Sequence, residues 1–212
     1  MQNKLNYISL FSSAGIGCYA FKQSGFDCIA TCELLEKRLN IQKINNKCLY
    51  KSGYICGDIT KPEISSKVFK EIQMWQTKKH IKDVDVIIAT PPCQGMSVAN
   101  QKKNNELPRN SLVVNAIKLI KEINPKIFIF ENVPSFLKTT CLGIAGKTHM
   151  ISEEINDELG SSYCYLSNVL NFKDYGSNSS RTRTTLPPRV RRTVTSSIPT
   201  PSSRCRKTCF TR

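Results

Sequence analysis

The chain has 212 residues, with Lys+Arg 31 against Asp+Glu 16 for a formal net charge of +15, and it is 40% hydrophobic and 22% charged. That length can bury one sizeable core, which excludes a peptide or a disulfide-held miniprotein, and the composition excludes bulk disorder. The positive balance points to a polyanionic partner.

From the N-terminus, short β-rich runs alternate with helical stretches, the pattern of an α/β fold with a mostly parallel sheet and helices on both faces. Candidate strands are Asn6 to Phe11, Asp27 to Glu33, Tyr54 to Cys56, Val84 to Thr90 and Lys126 to Glu131. Two of them, within DVDVIIAT and KIFIFE, are nearly continuous in β-branched and aromatic residues. Such runs belong to central strands buried on both faces. Between them Leu112, Val113, Ala116, Ile117 and Ile120 repeat at helical spacing, with Asn110 or Ser111 as cap and Asn124-Pro125 as stop. Further on, SSYCYLSNVLNF reads as one more strand or a hairpin.

Composition breaks near Arg183. Up to that residue there are 24 basic and 16 acidic residues, a net +8; after it there are 7 basic residues and no acid, adding +7. Lys gives way to Arg, Asn disappears, and Ser, Thr and Pro supply 15 of the last 29 residues without an apolar period. Residues 184–212 are therefore expected to be a disordered tail, either a basic arm for phosphate or the product of a shifted reading frame. No apolar run approaches the roughly 20 residues of a bilayer span, and MQNKLNYISLF lacks the features of a signal peptide, so a cytoplasmic protein with no membrane partner is expected. The ten cysteines then read as free thiols or catalytic groups. Cys28/Cys32 and Cys205/Cys209 share a spacing but lack a histidine or second pair, and no metal is expected.

In open α/β sheets ligands bind beyond the carboxyl ends of the strands, so the residues just past each strand are the candidates for a site. After the first comes Phe11-Ser12-Ser13-Ala14-Gly15-Ile16-Gly17, a small-residue turn that lets backbone amides approach a ligand. The second ends in Glu33, placed to accept from ribose hydroxyls, and the third runs into Gly57-Asp58-Ile59, where a carboxylate can accept from an adenine amino group. Either acid could instead cap the next helix. Ala20 stands where a dinucleotide fingerprint has its third glycine, which favours a single-nucleoside cofactor over one with a pyrophosphate. The fourth strand ends in Thr90-Pro91-Pro92-Cys93-Gln94-Gly95. Two prolines stiffen the backbone before the cysteine and a glycine permits a sharp turn after it, so this is a mount for a nucleophilic thiol. The fifth runs into Glu131-Asn132-Val133-Pro134, and burial there is expected to raise the Glu131 pKa and make it a proton donor.

The PPCQ and ENVP segments, the FSSAGIG turn, Glu33, Asp58 and Arg181-Thr182-Arg183 together resemble the cytosine-5 DNA methyltransferases, over about residues 5 to 183. The resemblance implies a Rossmann-like S-adenosylmethionine-dependent fold, incomplete at its C-terminus, with residues 1–183 as a partial catalytic domain. It implies S-adenosylmethionine over the glycine turn, held by Phe11, Ser12, Ala14, Gly15, Gly17, Glu33, Asp58, Ile59 and Pro91. Cys93 would attack carbon 6 of a cytosine flipped from double-stranded DNA, Glu131 would hydrogen-bond and protonate ring nitrogen 3, Arg183 would hold the cytosine oxygen, and Arg181 would support the loop. Ser179 stands where the family has a glutamine. The family's recognition and closing elements have no counterpart after Thr184, so a complementing recognition chain is expected, and the family's usual company implies a cognate restriction endonuclease. One branch of the family acts on transfer RNA, and a non-catalytic nucleic-acid or cofactor-binding remnant is the reading from a different class.

Overall fold

The computed structural model describes residues 4–92, 107–186 and 188–191. Its elements in chain order are β1 (Asn6–Leu10), α1 (Tyr19–Gln23), β2 (Asp27–Glu33), α2 (Glu36–Ile44), β3 (Tyr54–Cys56), α3 (Pro62–Lys79), β4 (Val86–Ala89), α4 (Leu107–Asn110), α5 (Leu112–Ile123), β5 (Ile127–Asn132), β6 (Thr140–Leu142), β7 (Thr148–Met150), α6 (Ile151–Leu159), β8 (Tyr163–Tyr165), β9 (Asn168–Asn171), β10 (Thr182–Leu186) and β11 (Pro188–Arg191). A seven-stranded sheet has the order β3-β2-β1-β4-β5-β10-β9. Its first five strands are parallel, and β10 runs antiparallel to both neighbours. Two-stranded pairs β8/β11 and β6/β7 lie apart from it.

Helices cover both faces. On one, Ile8, Leu10, Ile87, Phe128 and Phe130 pack with Val68 and Ile72 of α3, Val113 and Ile117 of α5, and Ile155 of α6. On the other, Tyr7, Cys28, Val86 and Ile88 meet Cys18 and the partly buried Phe21 of α1. At the amino edge the register of three strands is locked by polar bonds. The Asn6 amide donates to Asp85 Oδ2 at 2.8 Å, the Asp85 amide to Asn6 Oδ1 at 3.0 Å, and Lys126 Nζ to Asp85 Oδ1 at 2.7 Å.

The five expected strands form within a residue or two, and the expected helix is α5, stopped by Asn124 in the left-handed region at φ 53°. Ser111 stands at its start, but the hydroxyl donates to the Leu107 carbonyl at 2.6 Å instead of capping. Three expectations are corrected. β4 is buried throughout, whereas β5 alternates: Phe128 and Phe130 are buried while Ile127 is 41% exposed, so one face of β5 is incompletely covered. SSYCYLSNVLNF is neither one strand nor a hairpin, since β8 pairs with β11 and β9 with β10. The compositional break at Arg183 falls inside β10, whose Thr184 and Leu186 are buried. Threonines and leucine suit a pleated strand, which a residue count over the whole tail conceals. Residues 192–212, with Cys205 and Cys209, lie outside the described residues.

On α3 the residues at core spacing include Glu71, which is 4% exposed and accepts from Ser52 Oγ at 3.2 Å. Burial raises its pKa above the ordinary value. An acid whose folded pKa exceeds its unfolded value weakens the fold as pH climbs past the unfolded value, about 4.3 for Glu. Glu71→Gln should therefore melt at a higher temperature relative to wild type at pH 8 than at pH 4. Thermal melts at the two pH values check this, and an equal difference at both contradicts it.

Candidate active site

The carboxyl ends of the five parallel strands are tied together by backbone and side-chain bonds. Ser12 N donates to the Cys32 carbonyl at 3.0 Å, Gly57 N to that of Glu33 at 3.0 Å, and Thr90 N to that of Leu10 at 3.2 Å. Thr90 Oγ1 donates to the Phe11 carbonyl at 2.9 Å and Asn132 Nδ2 to the Pro91 carbonyl at 2.9 Å. Phe11, Glu33, Asp58, Pro91 and Glu131, remote in sequence, thereby come to one edge of the sheet.

The turn after β1 is strained. Phe11 and Ser13 have φ of 55° and 49°, and Gly15 has φ 85°; the left-handed region costs a residue with a Cβ about 1–2 kcal/mol. Two side chains hold the turn. The Glu33 carboxylate, 6% exposed, accepts from Ser13 N at 2.7 Å and Leu35 N at 3.1 Å and pairs with Arg38 at 3.3 Å. Gln42 of α2 donates to Ser12 Oγ at 2.8 Å and to the Ser13 carbonyl at 2.5 Å, while its oxygen accepts from Thr31 Oγ1 at 2.8 Å. A Cβ on Gly15 would press on Gln42 Cγ at 3.0 Å, a tight contact that adds to the preference for glycine set by φ. Around Gly17 the space is open, and the Ala14 amide donates to nothing among the described residues.

At the third strand end Asp58 is half-buried. Its Oδ1 accepts from Thr60 N at 3.0 Å, and hydrogen bonds from the Thr60 backbone and hydroxyl hold its pKa below the ordinary carboxylate value. It is ionised at neutral pH and can only accept. Ile59 next to it and Pro91 across the edge are buried. The helix-capping alternative has a partial basis in each acid, since Glu33 accepts from Leu35 N before α2 and Asp58 from Thr60 N before α3.

Glu131 and Arg183 meet across two strands. Thr185 of β10 stands opposite Glu131, which puts Arg183, two residues earlier, on the same face, and Arg183 Nε lies 3.0 Å from Glu131 Oε1. The side chains are 14% and 31% exposed for Arg183 and Glu131. The carboxyl is thus neither deeply buried nor solitary, in contrast to the apolar setting expected from the strand sequence. Arg181 is exposed; its carbonyl accepts from Phe172 N at 2.9 Å, and its side chain does not join the pair. Cys93, with residues 94–106, lies outside the described residues, although Pro91 and Pro92 lead the chain to this edge. Sequence reasoning misses Gln42, Thr90 and Asn132 as site residues. Asn132 sits inside ENVP, whereas a lone glutamine in a polar helix carries no signal. Among the described residues no group of three His, Cys, Asp or Glu could hold a metal ion, and no helix is long and apolar enough to cross a membrane.

A family profile described as C-5 cytosine-specific DNA methylase matches residues 5–187. The chain is 38% identical over 192 residues to the type II methyltransferase M1.HgaI of Avibacterium volantium, covering 86% of this chain and 49% of that protein. It is 31% identical over 179 residues to M.DdeI of Desulfomicrobium norvegicum, covering 84% and 39%. The chain thus spans half or less of the length of these relatives. Among solved structures, a DNA modification methyltransferase of an Escherichia coli prophage superposes with TM-score 0.61 at 25% identity, covering 89% of this chain and 47% of that one. The Schizosaccharomyces pombe Dnmt2 methyltransferase superposes with TM-score 0.59 at 19% identity, covering 88% of this chain and 49% of that one, a likeness of fold.

Replacing Gln42 with leucine would strand the Ser13 carbonyl against an apolar side chain and leave the Ser12 hydroxyl with only the Cys32 carbonyl and the Thr31 hydroxyl with only Lys47. Leaving a buried polar group unsatisfied costs about 1–3 kcal/mol. Gln42→Leu should lower the urea midpoint accordingly and speed amide exchange in residues 11–17. Unchanged exchange there would show that α2 does not hold the turn.

Proposed function

The chain belongs to the C-5 cytosine-specific DNA methylase family, and on that premise we propose that it is the cofactor-binding and catalytic portion of an S-adenosylmethionine-dependent DNA cytosine-5 methyltransferase of a type II restriction-modification system. The observation that carries this reading is the convergence at one sheet edge of a held glycine turn, an ionised Asp58 and the Glu131–Arg183 pair.

The donor and acceptor set suits an adenosine-based cation. Asp58 offers a carboxylate to an exocyclic amine, the Ala14 amide is unused among the described residues, and the space over Gly17 is open. Phe11, Ser12, Ala14, Gly15 and Gly17 would line one side of the cofactor, with Glu33, Asp58, Ile59 and Pro91 on the other. Bound there, S-adenosylmethionine supplies an activated methyl group.

Cytosine carbon 5 is too weak a nucleophile to take a methyl group unaided. Addition of the Cys93 thiolate at carbon 6 would make the ring enamine-like and turn carbon 5 into a nucleophile, and after methylation loss of the carbon 5 proton to solvent with elimination of the Cys93 thiolate from carbon 6 would restore the ring and free the enzyme. Glu131, having taken up a proton from solvent, would donate it to ring nitrogen 3, which withdraws electrons from carbon 6 and promotes that addition, and Arg183 beside it would donate to the ring oxygen. A carboxyl and a guanidinium 3.0 Å apart on one sheet face can engage two neighbouring polar atoms of one base, the guanidinium as donor and the carboxyl as donor only in its protonated form. Arg181, exposed, would support the adjoining loop. The base must leave the duplex to reach these groups, and the surplus positive charge would hold the phosphate backbone.

A recognition portion is assigned to a complementing polypeptide, and a cognate endonuclease to the same system. The half-open face of β5 supports the first, and the type II names of the relatives support the second.

The test is transfer of tritiated methyl from S-adenosylmethionine to mixed-sequence duplex DNA, with transfer RNA in parallel. It is run with the chain alone and with a polypeptide carrying the part of the Avibacterium volantium protein that this chain does not match. The expected result is 5-methylcytosine in DNA in at least the complemented reaction, abolished by Cys93→Ala and reduced about 10²–10⁴-fold by Glu131→Gln, the usual worth of a general acid. Label in RNA only, label indifferent to Cys93→Ala, or no label in either reaction would overturn the proposal.

A further inference from the structure

Glu33 and Gln42 hold the turn after β1 at Ser12 and Ser13, one residue and two residues past Phe11, which opens the turn with φ 55°. A phenylalanine in the left-handed region needs a restraint of its own. It comes from β4. Thr90, the residue after that strand, donates from its backbone N to the Leu10 carbonyl at 3.2 Å and from Oγ1 to the Phe11 carbonyl at 2.9 Å. A single residue thus grips two successive carbonyls at the point where β1 leaves the extended conformation. Among the described residues the Phe11 carbonyl has no other donor.

The grip is stiff by construction. Thr90 precedes Pro91, and a residue before proline is confined to the extended region. Its β-branched side chain is also restricted at χ1. Backbone and side chain are therefore limited before the bond forms, and aiming the hydroxyl at Phe11 costs little conformational entropy. The Pro91 carbonyl accepts in turn from Nδ2 of the buried Asn132 at 2.9 Å. Thr90 is thereby anchored to β5, the strand that carries Glu131.

A valine at this position would fill the same space and keep the same backbone preference, but it would leave the carbonyl of the half-buried Phe11 without its donor. Relaxation of φ at Phe11 would swing a ring that packs against the main core and displace Ser12 and Ser13 behind it. We infer that Thr90 is a positioning residue for the cofactor turn: its hydroxyl sets the backbone of Phe11, and through Phe11 the face that the turn offers to S-adenosylmethionine. The inference rests on the assignment of this edge to that cofactor.

The test is calorimetric titration of the full chain with S-adenosylmethionine in wild type, Thr90→Val, Thr90→Ala and Thr90→Ser, with amide exchange of the free proteins alongside. The expected result is an affinity reduced about 3–10-fold in the valine and alanine variants, the worth of one net hydrogen bond, and restored to within about twofold of wild type by serine. Exchange at Ser12 and Ser13 should be faster in the two variants without a hydroxyl and near wild type in Thr90→Ser. A threonine that only stabilised the fold would lower the melting temperature of Thr90→Val and leave the affinity of the folded protein unchanged. Wild-type affinity in Thr90→Val, a serine variant as weak as the valine one, or unchanged exchange at Ser12 and Ser13 would overturn the inference and leave the cofactor assignment standing. Absence of saturable binding by wild type would overturn the cofactor assignment and the inference with it.

Discussion

Backbone strain at the end of β1 must be restrained from outside the turn. Phe11 and Ser13 both occupy the left-handed region, at φ 55° and 49°, and without support the segment would relax by a few kcal/mol. The support is electrostatic and comes from β2 and α2. Glu33 fixes the Ser13 amide, and Gln42 fixes the Ser12 hydroxyl and the Ser13 carbonyl. Gln42 is itself oriented by Thr31, so strand, helix and turn form one hydrogen-bonded unit. A turn held in this way presents its ligand side without reorganising, which reduces the ordering cost of binding.

The second requirement is that the carboxyl ends of five strands stand level. At the amino edge Asn6, Asp85 and Lys126 lock β1, β4 and β5; at the carboxyl edge Thr90 and Asn132 bond to backbone carbonyls. A slip of one residue would turn each side chain to the opposite face and carry Glu131 away from Arg183. The antiparallel β10 is what makes that pair possible. It returns beside β5 in the opposite direction, so a residue near its start reaches the same edge where β5 ends. The turn and the pair therefore belong to one architecture, one fixed by bonds within the sheet's first half and the other by strand direction in its second.

Much of this was legible in the sequence. The five parallel strands were marked by short β-rich runs, two of them nearly continuous in β-branched and aromatic residues, and FSSAGIG, PPCQ and ENVP were marked by residues with special backbone or chemical uses. The features that escaped were settled by tertiary contacts. Gln42 lies in EKRLNIQKI, where the buried positions are Leu39 and Gln42 and no apolar stripe announces an inward face. The sorting of β8 and β9 into different sheets depends on partners from beyond residue 181. The ion pair of Glu131 depends on the register of a strand that crosses the compositional break, and a count of Ser, Thr and Pro cannot register that Thr184 and Leu186 face inward.

If the carboxyl edge of the sheet is a nucleoside-cofactor site, the chain must bind S-adenosylmethionine there, and calorimetric titration of the full chain with that molecule is the most direct measurement. Saturable one-to-one binding is expected, weakened at least tenfold in Asp58→Ala. No saturable binding, or an Asp58→Ala protein that binds as tightly as wild type, would contradict the assignment of this edge to the cofactor.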